Sequence, residues 1–131
     1  MWLMTRDGFY SIVNGPTPDT VTVRAREREA LEAVFAGDGI KRTPGRDYVW
    51  RVTIDRHRFS VWLQAEASWV DYANFKDAVE KRQGRSRYVS FLHDVWWSGV
   101  RLLAGNQELP TLYDQTLLSK GAHLDATEYR E

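Results

Sequence analysis

The sequence predicts an α+β fold in which an antiparallel sheet carries helices on one face, in a ferredoxin-like or permuted ferredoxin-like arrangement. Residues 20–25 and 48–54 alternate between apolar and polar side chains, which is the period of a half-buried strand. Segments after residue 55 instead repeat apolar residues every three or four positions, as amphipathic helices do. The resulting order of strand, strand, strand, helix, strand, helix, helix, helix favours an antiparallel sheet.

The first two predicted strands cover residues 2–5 and 9–13. Asp7 and Gly8 between them favour a hairpin turn, because glycine adopts a positive φ without strain and aspartate tolerates it. The third strand follows at residues 20–25.

The third and fourth predicted strands can place polar side chains on one surface if they pair. These polar positions are Thr22, Arg24, Arg51 and Thr53. A sheet with outward arginine and aromatic side chains can stack nucleic-acid bases. Tyr48 and Trp50, however, are expected on the opposite face, against the helices, which weighs against an RNA-binding surface here.

Four helices are predicted, and residues 38–45 are predicted to form a loop. The helices cover residues 26–36, 56–67, a segment from residue 72 to near Gly84, and 87–104. Asp55, Asp71 and Ser86 are placed to cap the last three helices, because their side-chain oxygens can accept hydrogen bonds from the first N–H groups of a helix.

Residues 1–104 are predicted to form a single α+β domain. Residues 105–131 are predicted to be an acidic C-terminal extension, with the pattern of one short helix at residues 110–119. The extension has a net charge of −3 and the preceding residues +3. With 18 basic and 18 acidic residues in total, overall charge gives no argument for nucleic acid, membrane or an acidic ligand.

Several classes of chemistry are excluded or unsupported by the composition. The chain has no cysteine, which excludes disulfides, thiolate metal sites and cysteine nucleophiles. The lack of cysteine also fits a cytoplasmic location. No apolar run approaches the roughly 20 residues that span a bilayer, so we expect no membrane partner. No phosphate-binding loop, dinucleotide-binding fingerprint, nucleophile elbow or zinc-protease motif is present, and no cofactor or metal is predicted.

Polar side chains cluster at the start of the third predicted helix. Asp71, Asn74 and Lys76 could surround a small polar pocket for a phosphate or a carboxamide. In the simpler interpretation, Asp71 caps the helix while Tyr72 and Phe75 pack inward. The Asn74 and Lys76 side chains are then solvated, and this interpretation is favoured because nothing in the spacing requires a pocket.

A basic turn follows this helix and leads into the next one. With Lys76, its polar residues are Lys81, Arg82, Gln83, Arg85 and Arg87. Free N–H groups and the helix dipole favour anions at a helix N-terminus, so the turn is a candidate site for a phosphate or a nucleic-acid backbone. A solvated, charged loop is the simpler interpretation.

The fourth predicted helix is apolar over most of its circumference, and it carries His93 beside Trp96 and Trp97. Such a helix is buried on two sides or offers a hydrophobic surface to another molecule. The leucines of the 105–131 extension are one candidate cover for it, and a partner protein is the other.

Several motifs occur together in a fixed order. They are Trp2 with Gly8-Phe9-Tyr10-Ser11-Ile12-Val13, Val23-Arg24-Ala25-Arg26, Asp47-Tyr48, Asp71-Tyr72-x-Asn74-Phe75-Lys76, Gln83-Gly84 and His93-x-Val95-Trp96. In this combination, the first 104 residues resemble a group of small uncharacterised bacterial proteins with no established activity. The resemblance implies that the 71–76 cluster, Gln83 and His93 belong to one site. Members of the group end soon after the fourth helix, so the extension lies outside the resemblance.

Three functional hypotheses follow from these patterns. The leading one is a non-catalytic protein-binding or regulatory protein, with a component of host or phage defence among its candidate partners. The second is nucleic-acid or nucleotide binding at the basic 76–87 turn. The third is an enzyme that uses His93 with the 71–76 cluster for acid–base chemistry, and no catalytic constellation in the sequence supports it.

Overall fold

The computed structural model describes residues 1–103, and within that range the chain forms five strands and four helices. The strands are β1 (Trp2–Met4), β2 (Phe9–Asn14), β3 (Thr20–Ala25), β4 (Lys41–Arg42) and β5 (Trp50–Asp55). The helices are α1 (Arg28–Phe35), α2 (Arg56–Ser68), α3 (Phe75–Gln83) and α4 (Arg87–Leu103). The predicted extension at 105–131, with its short helix at 110–119, lies outside the described residues.

Within the described residues, Met1–Gly84 form one compact unit and the residues from Arg85 onward belong to a second. The first unit contains the whole sheet together with α1, α2 and α3. In the second, Ser86 precedes α4, and its side-chain oxygen accepts a hydrogen bond from the Val89 N–H at 3.2 Å, which confirms the predicted cap. The predicted boundary between a domain and an extension at residue 104 stays a prediction.

The sheet is open and antiparallel, with the strand order β1-β2-β3-β5-β4. This confirms the α+β class, whereas the ferredoxin-like assignment stays a prediction. The sequence does not predict strand β4, because residues 38–45 are expected to form a loop. Its two residues, Lys41 and Arg42, are too few to show an alternating pattern, and only pairing with β5 reveals the strand.

The hydrophobic core lies between one face of the sheet and the helices α1 and α2. Trp62 of α2 joins the sheet to α1 within this core, because the rings of Tyr10 and Phe35 lie edge-on to its ring at 5.0 and 5.1 Å. The Tyr10 hydroxyl is buried and donates a hydrogen bond to the Ala30 carbonyl oxygen at 2.7 Å. The face that carries Val21, Val23 and Ala25 is therefore the helix-covered face, as the alternation predicts.

The turn between β1 and β2 closes with a hydrogen bond from the Thr5 N–H to the Gly8 carbonyl oxygen at 2.9 Å. Gly8 does not have a positive φ, so the predicted reason for glycine at this position is wrong. A Cβ atom at Gly8 would lie 2.5 Å from the Ala30 Cβ atom of α1. Glycine is required because the turn and helix α1 approach each other closely.

Helix α3 begins three residues later than expected. Asn74, not Asp71, is its cap residue, and the Asn74 side-chain oxygen accepts a hydrogen bond from the Asp77 N–H at 3.1 Å. Asp55 precedes α2 as predicted, but its side chain forms no capping hydrogen bond. The Asp71 carboxylate instead binds Arg6, a residue distant in sequence, at 2.9 Å.

Candidate functional site

A single row of side chains crosses all five strands on the sheet face opposite α1 and α2. The strand register places Trp2 beside Ser11, Ser11 beside Arg24, Arg24 beside Arg51, and Arg51 beside Lys41. Directly opposed residues in antiparallel strands project to the same face. We call Arg24, Arg51 and Lys41 the cation row.

The cation row places three positive charges on three adjacent strands. Directly opposite residues have Cβ atoms about 5 Å apart, and like charges at that separation destabilise a sheet. Among residues 1–103, no carboxylate forms an ion pair with any member of the row. The row is therefore a strip of positive charge without an ion-pair partner in the described residues, which favours an anionic ligand.

Tyr48 and Arg26 extend this surface at the β2 side. The Tyr48 ring is buried, with the guanidinium groups of Arg24 and Arg26 at 4.9 and 4.2 Å from its centroid. Tyr48 thus lies on the same face of the sheet as Arg24. The prediction that Tyr48 shares the helix-covered face with Trp50 is wrong. Strand β5 begins only at Trp50, and the preceding chain bends where the Asp47 carboxylate accepts a hydrogen bond from the Tyr48 N–H at 2.9 Å.

Arg24 is fixed in place by its neighbours. One terminal nitrogen donates a hydrogen bond to the Ser11 hydroxyl at 2.7 Å, and the guanidinium lies over the Tyr48 ring. The Arg24 Nε atom is buried without a hydrogen-bond partner in the described part of the chain. A guanidinium held in this way loses little side-chain entropy when a ligand binds.

Trp2 ends the row at the β1 side, and its side chain is 71% exposed. The ring lies edge-on to Phe9, with 5.7 Å between the ring centroids. An exposed indole supported by a second ring is a surface on which a planar group can stack. The row therefore combines a stacking ring at one end with positive charges at the other.

A groove of about 410 Å³ lies at the Lys41 end of the row. Besides Lys41 and Arg51, its polar lining consists of Thr22, Thr43, Thr53 and Asp38. Asp38 pairs with Arg58 of α2 at 2.5 Å, and this hydrogen bond lowers the pKa of the Asp38 carboxyl below its ordinary value. The groove thus offers two cations, hydroxyl groups and one ionised carboxylate.

Three of the sequence-predicted site residues, Asp71, Arg82 and Gln83, contact the β1–β2 turn. The Arg6 side chain of this turn donates a hydrogen bond to the Asp71 carboxylate, and the Arg6 carbonyl oxygen accepts one from the Gln83 side chain at 2.6 Å. Arg82 pairs with Asp7 of the same turn at 2.9 Å. These contacts tether both ends of the 71–83 segment to the turn, which is a structural role.

The other residues of the predicted cluster have separate surroundings. Asn74 caps α3, and Lys76 is 3% exposed, so the expectation that the Lys76 side chain is solvated is wrong. Arg85 and Arg87 are exposed and belong to the second unit.

His93 and Trp97 lie in α4, within the second unit, where Trp97 packs edge-on against Trp96 at 5.2 Å. Asp71 and Lys76 belong to the first unit. The grouping of His93 with these two residues stays a prediction. Among residues 1–103, no three histidine, aspartate or glutamate side chains gather closely enough to hold a metal ion.

The sequence alone predicts only part of the cation row. Arg24 and Arg51 occupied outward polar positions of two predicted strands, but Lys41 fell in a predicted loop. The available signal was the basic 41–51 segment, which carries four basic residues against one acidic residue.

No protein-family profile, curated protein or solved structure matches this chain. None of the helices within the described range is long and apolar enough to cross a membrane.

Proposed function

We propose that this protein binds single-stranded nucleic acid on the sheet face that carries the cation row. The observation behind the proposal is the placement of Arg24, Arg51 and Lys41 directly beside one another without a pairing carboxylate in residues 1–103. Such an arrangement costs folding stability, and a phosphate backbone lying across the strands offsets that cost.

The exposed Trp2 ring favours a single strand over a duplex. Proteins that bind single strands combine a positive groove for the backbone with aromatic rings on which bases stack. The line of directly opposed residues from Trp2 to Lys41, which includes the cation row, spans four inter-strand spacings of about 4.8 Å, or roughly 19 Å. A base on Trp2 and phosphates along the row can therefore belong to one short stretch of chain.

This proposal moves nucleic-acid binding from the basic 76–87 turn to the sheet. Arg82 of that turn is paired with Asp7, and Gln83 is bound to the Arg6 carbonyl oxygen. The row, in contrast, has no carboxylate partner among the described residues. A ligand phosphate displaces no existing ion pair there.

The test reverses one charge in the row and one charge outside it. Lys41→Glu and Lys81→Glu change the same exposed residue type, on β4 and α3 respectively. We expect Lys41→Glu to weaken binding of a labelled twelve-nucleotide single strand at least tenfold, and Lys81→Glu to change it by less than about threefold. Fluorescence anisotropy at low salt measures both affinities.

The salt dependence gives a second readout of the same proposal. Four phosphates held by Arg24, Arg26, Arg51 and Lys41 predict a slope of log K against log salt of roughly −3, at about −0.7 per phosphate. The proposal fails if wild-type protein does not bind the oligonucleotide at low salt, or if the two charge reversals weaken binding equally.

A protein partner is the second candidate function, and the outer edge of β1 supports it. Met1 and Ile12 exchange two backbone hydrogen bonds, and the Thr5 N–H bonds to the Gly8 carbonyl oxygen. The alternation of an antiparallel ladder then turns the N–H and C=O groups of the intervening Trp2 and Met4 outward. An extended segment of another protein can add to such an edge.

An apolar groove beside this edge fits a side chain of the added segment. Leu3 and Leu63 line it, together with the exposed Trp69 and Val70. We expect Met4→Pro to abolish binding of a partner because it removes an outward N–H, while Met4→Ala keeps that group and retains the partner. Size-exclusion chromatography with light scattering measures the mass of each variant and so tests whether the partner is a second copy of this chain. If Met4→Pro and Met4→Ala bind the partner equally well, the edge of β1 is not the binding site.

A further inference from the structure

We infer that the ligand of the cation row is RNA, and that the Asp38 carboxylate accepts a hydrogen bond from a ribose 2′-hydroxyl while Lys41 and Arg51 hold the adjoining phosphate. This inference rests on the proposed nucleic-acid function and specifies the ligand of the same site. It is carried by the composition of the groove at the Lys41 end, where a carboxylate with one oxygen unbonded within the described residues lines the same surface as two cations.

Asp38 is the unexpected member of that groove. A carboxylate repels a phosphate, so an anionic side chain in the same groove as Lys41 and Arg51 weakens a site that binds phosphate only. The same carboxylate is a strong acceptor for a hydroxyl group of the ligand. A ribose next to the phosphate supplies that donor, and a deoxyribose does not.

The geometry of Asp38 suits this role. Its backbone N–H donates to the Phe35 carbonyl oxygen at 3.0 Å, which positions the main chain after α1, and its Oδ2 atom accepts from Arg58 of α2, which holds the side chain. The Oδ1 atom has no hydrogen-bond partner among residues 1–103, and the side chain is 28% exposed. One carboxylate oxygen therefore sets the position and the other remains open to a ligand.

The threonines of the groove divide between structure and ligand. The Thr43 hydroxyl donates to the Val49 carbonyl oxygen at 2.9 Å and holds the chain next to β5. Thr22 and Thr53 are directly opposite each other in β3 and β5, and neither hydroxyl has a hydrogen-bond partner within the described range. Both can donate to phosphate oxygens beside Arg51.

The test compares three twelve-nucleotide uridine strands that differ only at the 2′ position, carrying hydroxyl, hydrogen or fluorine. Fluorine resembles the hydroxyl in its effect on sugar conformation but cannot donate a hydrogen bond. We expect wild-type protein to bind the hydroxyl strand about tenfold more tightly than either of the others. We expect Asp38→Ala to bind all three within about twofold, and to bind the deoxy strand at least as tightly as wild type does, because a carboxylate has been removed.

The outcomes separate this inference from the proposed function. If wild-type protein binds the three strands equally, the RNA inference is overturned and nucleic-acid binding stands. Equal binding of the hydroxyl and fluoro strands, both tighter than deoxy, also overturns it, because the protein then senses sugar conformation. If no strand binds, the proposed function itself fails. The wild-type comparison decides the inference even if Asp38→Ala does not fold.

Discussion

At the scale of single residues, Glu66 shows how burial changes a carboxyl group. Glu66 lies in α2, where burial raises its pKa above the ordinary value and the hydrogen bond from the Trp62 indole N–H at 3.1 Å partly opposes that shift. The folded protein therefore binds this proton more tightly than the unfolded chain does. The stabilising contribution is full below the unfolded pKa of about 4.3 and is lost as pH rises through the folded pKa.

This sign predicts the behaviour of Glu66→Gln. Glutamine keeps an oxygen for the Trp62 N–H and has no charge to bury, so the variant should match wild type in stability below about pH 4 and exceed it near neutral pH. We expect a gain of roughly 0.5 kcal/mol or less in unfolding free energy. Urea unfolding across that pH range measures it, and a difference independent of pH contradicts the assignment.

At the scale of elements, the close approach of the β1–β2 turn to α1 holds two parts of the first unit together. Gly8→Ala would place a methyl group 2.5 Å from the Ala30 Cβ atom. We expect a loss of about 1–3 kcal/mol in unfolding free energy from this overpacking. Gly99→Ala in α4 is the matched control, because no atom of residues 1–103 lies within 4 Å of a Cβ atom there. A helix interior gains roughly 0.5–1 kcal/mol from that change, so equal effects of the two variants contradict the account.

Local patterns predicted the elements well wherever one pattern ran uninterrupted. The alternation of β3 and the helical periods of α1, α2 and α4 are examples, with ends displaced by a few residues. Prediction failed where a contact with a residue distant in sequence determines which of two suitable residues caps a helix. Asp71 and Asn74 are both good cap residues, and only the pairing of Asp71 with Arg6 leaves Asn74 as the cap. Tyr48 was misplaced because a local bend precedes β5.

At the scale of the whole molecule, the cation row could not be predicted because it depends on the register of three strands. Arg24, Lys41 and Arg51 are separated by up to 27 residues in sequence, and β4 is too short to leave a pattern. The net charge of the chain gives no indication of the row either, since the chain as a whole is neutral. The alignment of β3, β5 and β4 brings the three charges together. In the proposed complex, a bound phosphate backbone offsets their repulsion.

Arg51→Glu tests this balance most directly, because Arg51 lies between the other two cations of the row. A glutamate there faces Arg24 on one side and Lys41 on the other, so two repulsive pairs become attractive ones. We expect the variant to unfold in urea with a free energy about 0.5 kcal/mol above that of wild-type protein. We also expect the same variant to lose single-stranded RNA binding by more than tenfold in anisotropy. A variant that binds RNA as tightly as wild-type protein would contradict the assignment of the cation row as the nucleic-acid site.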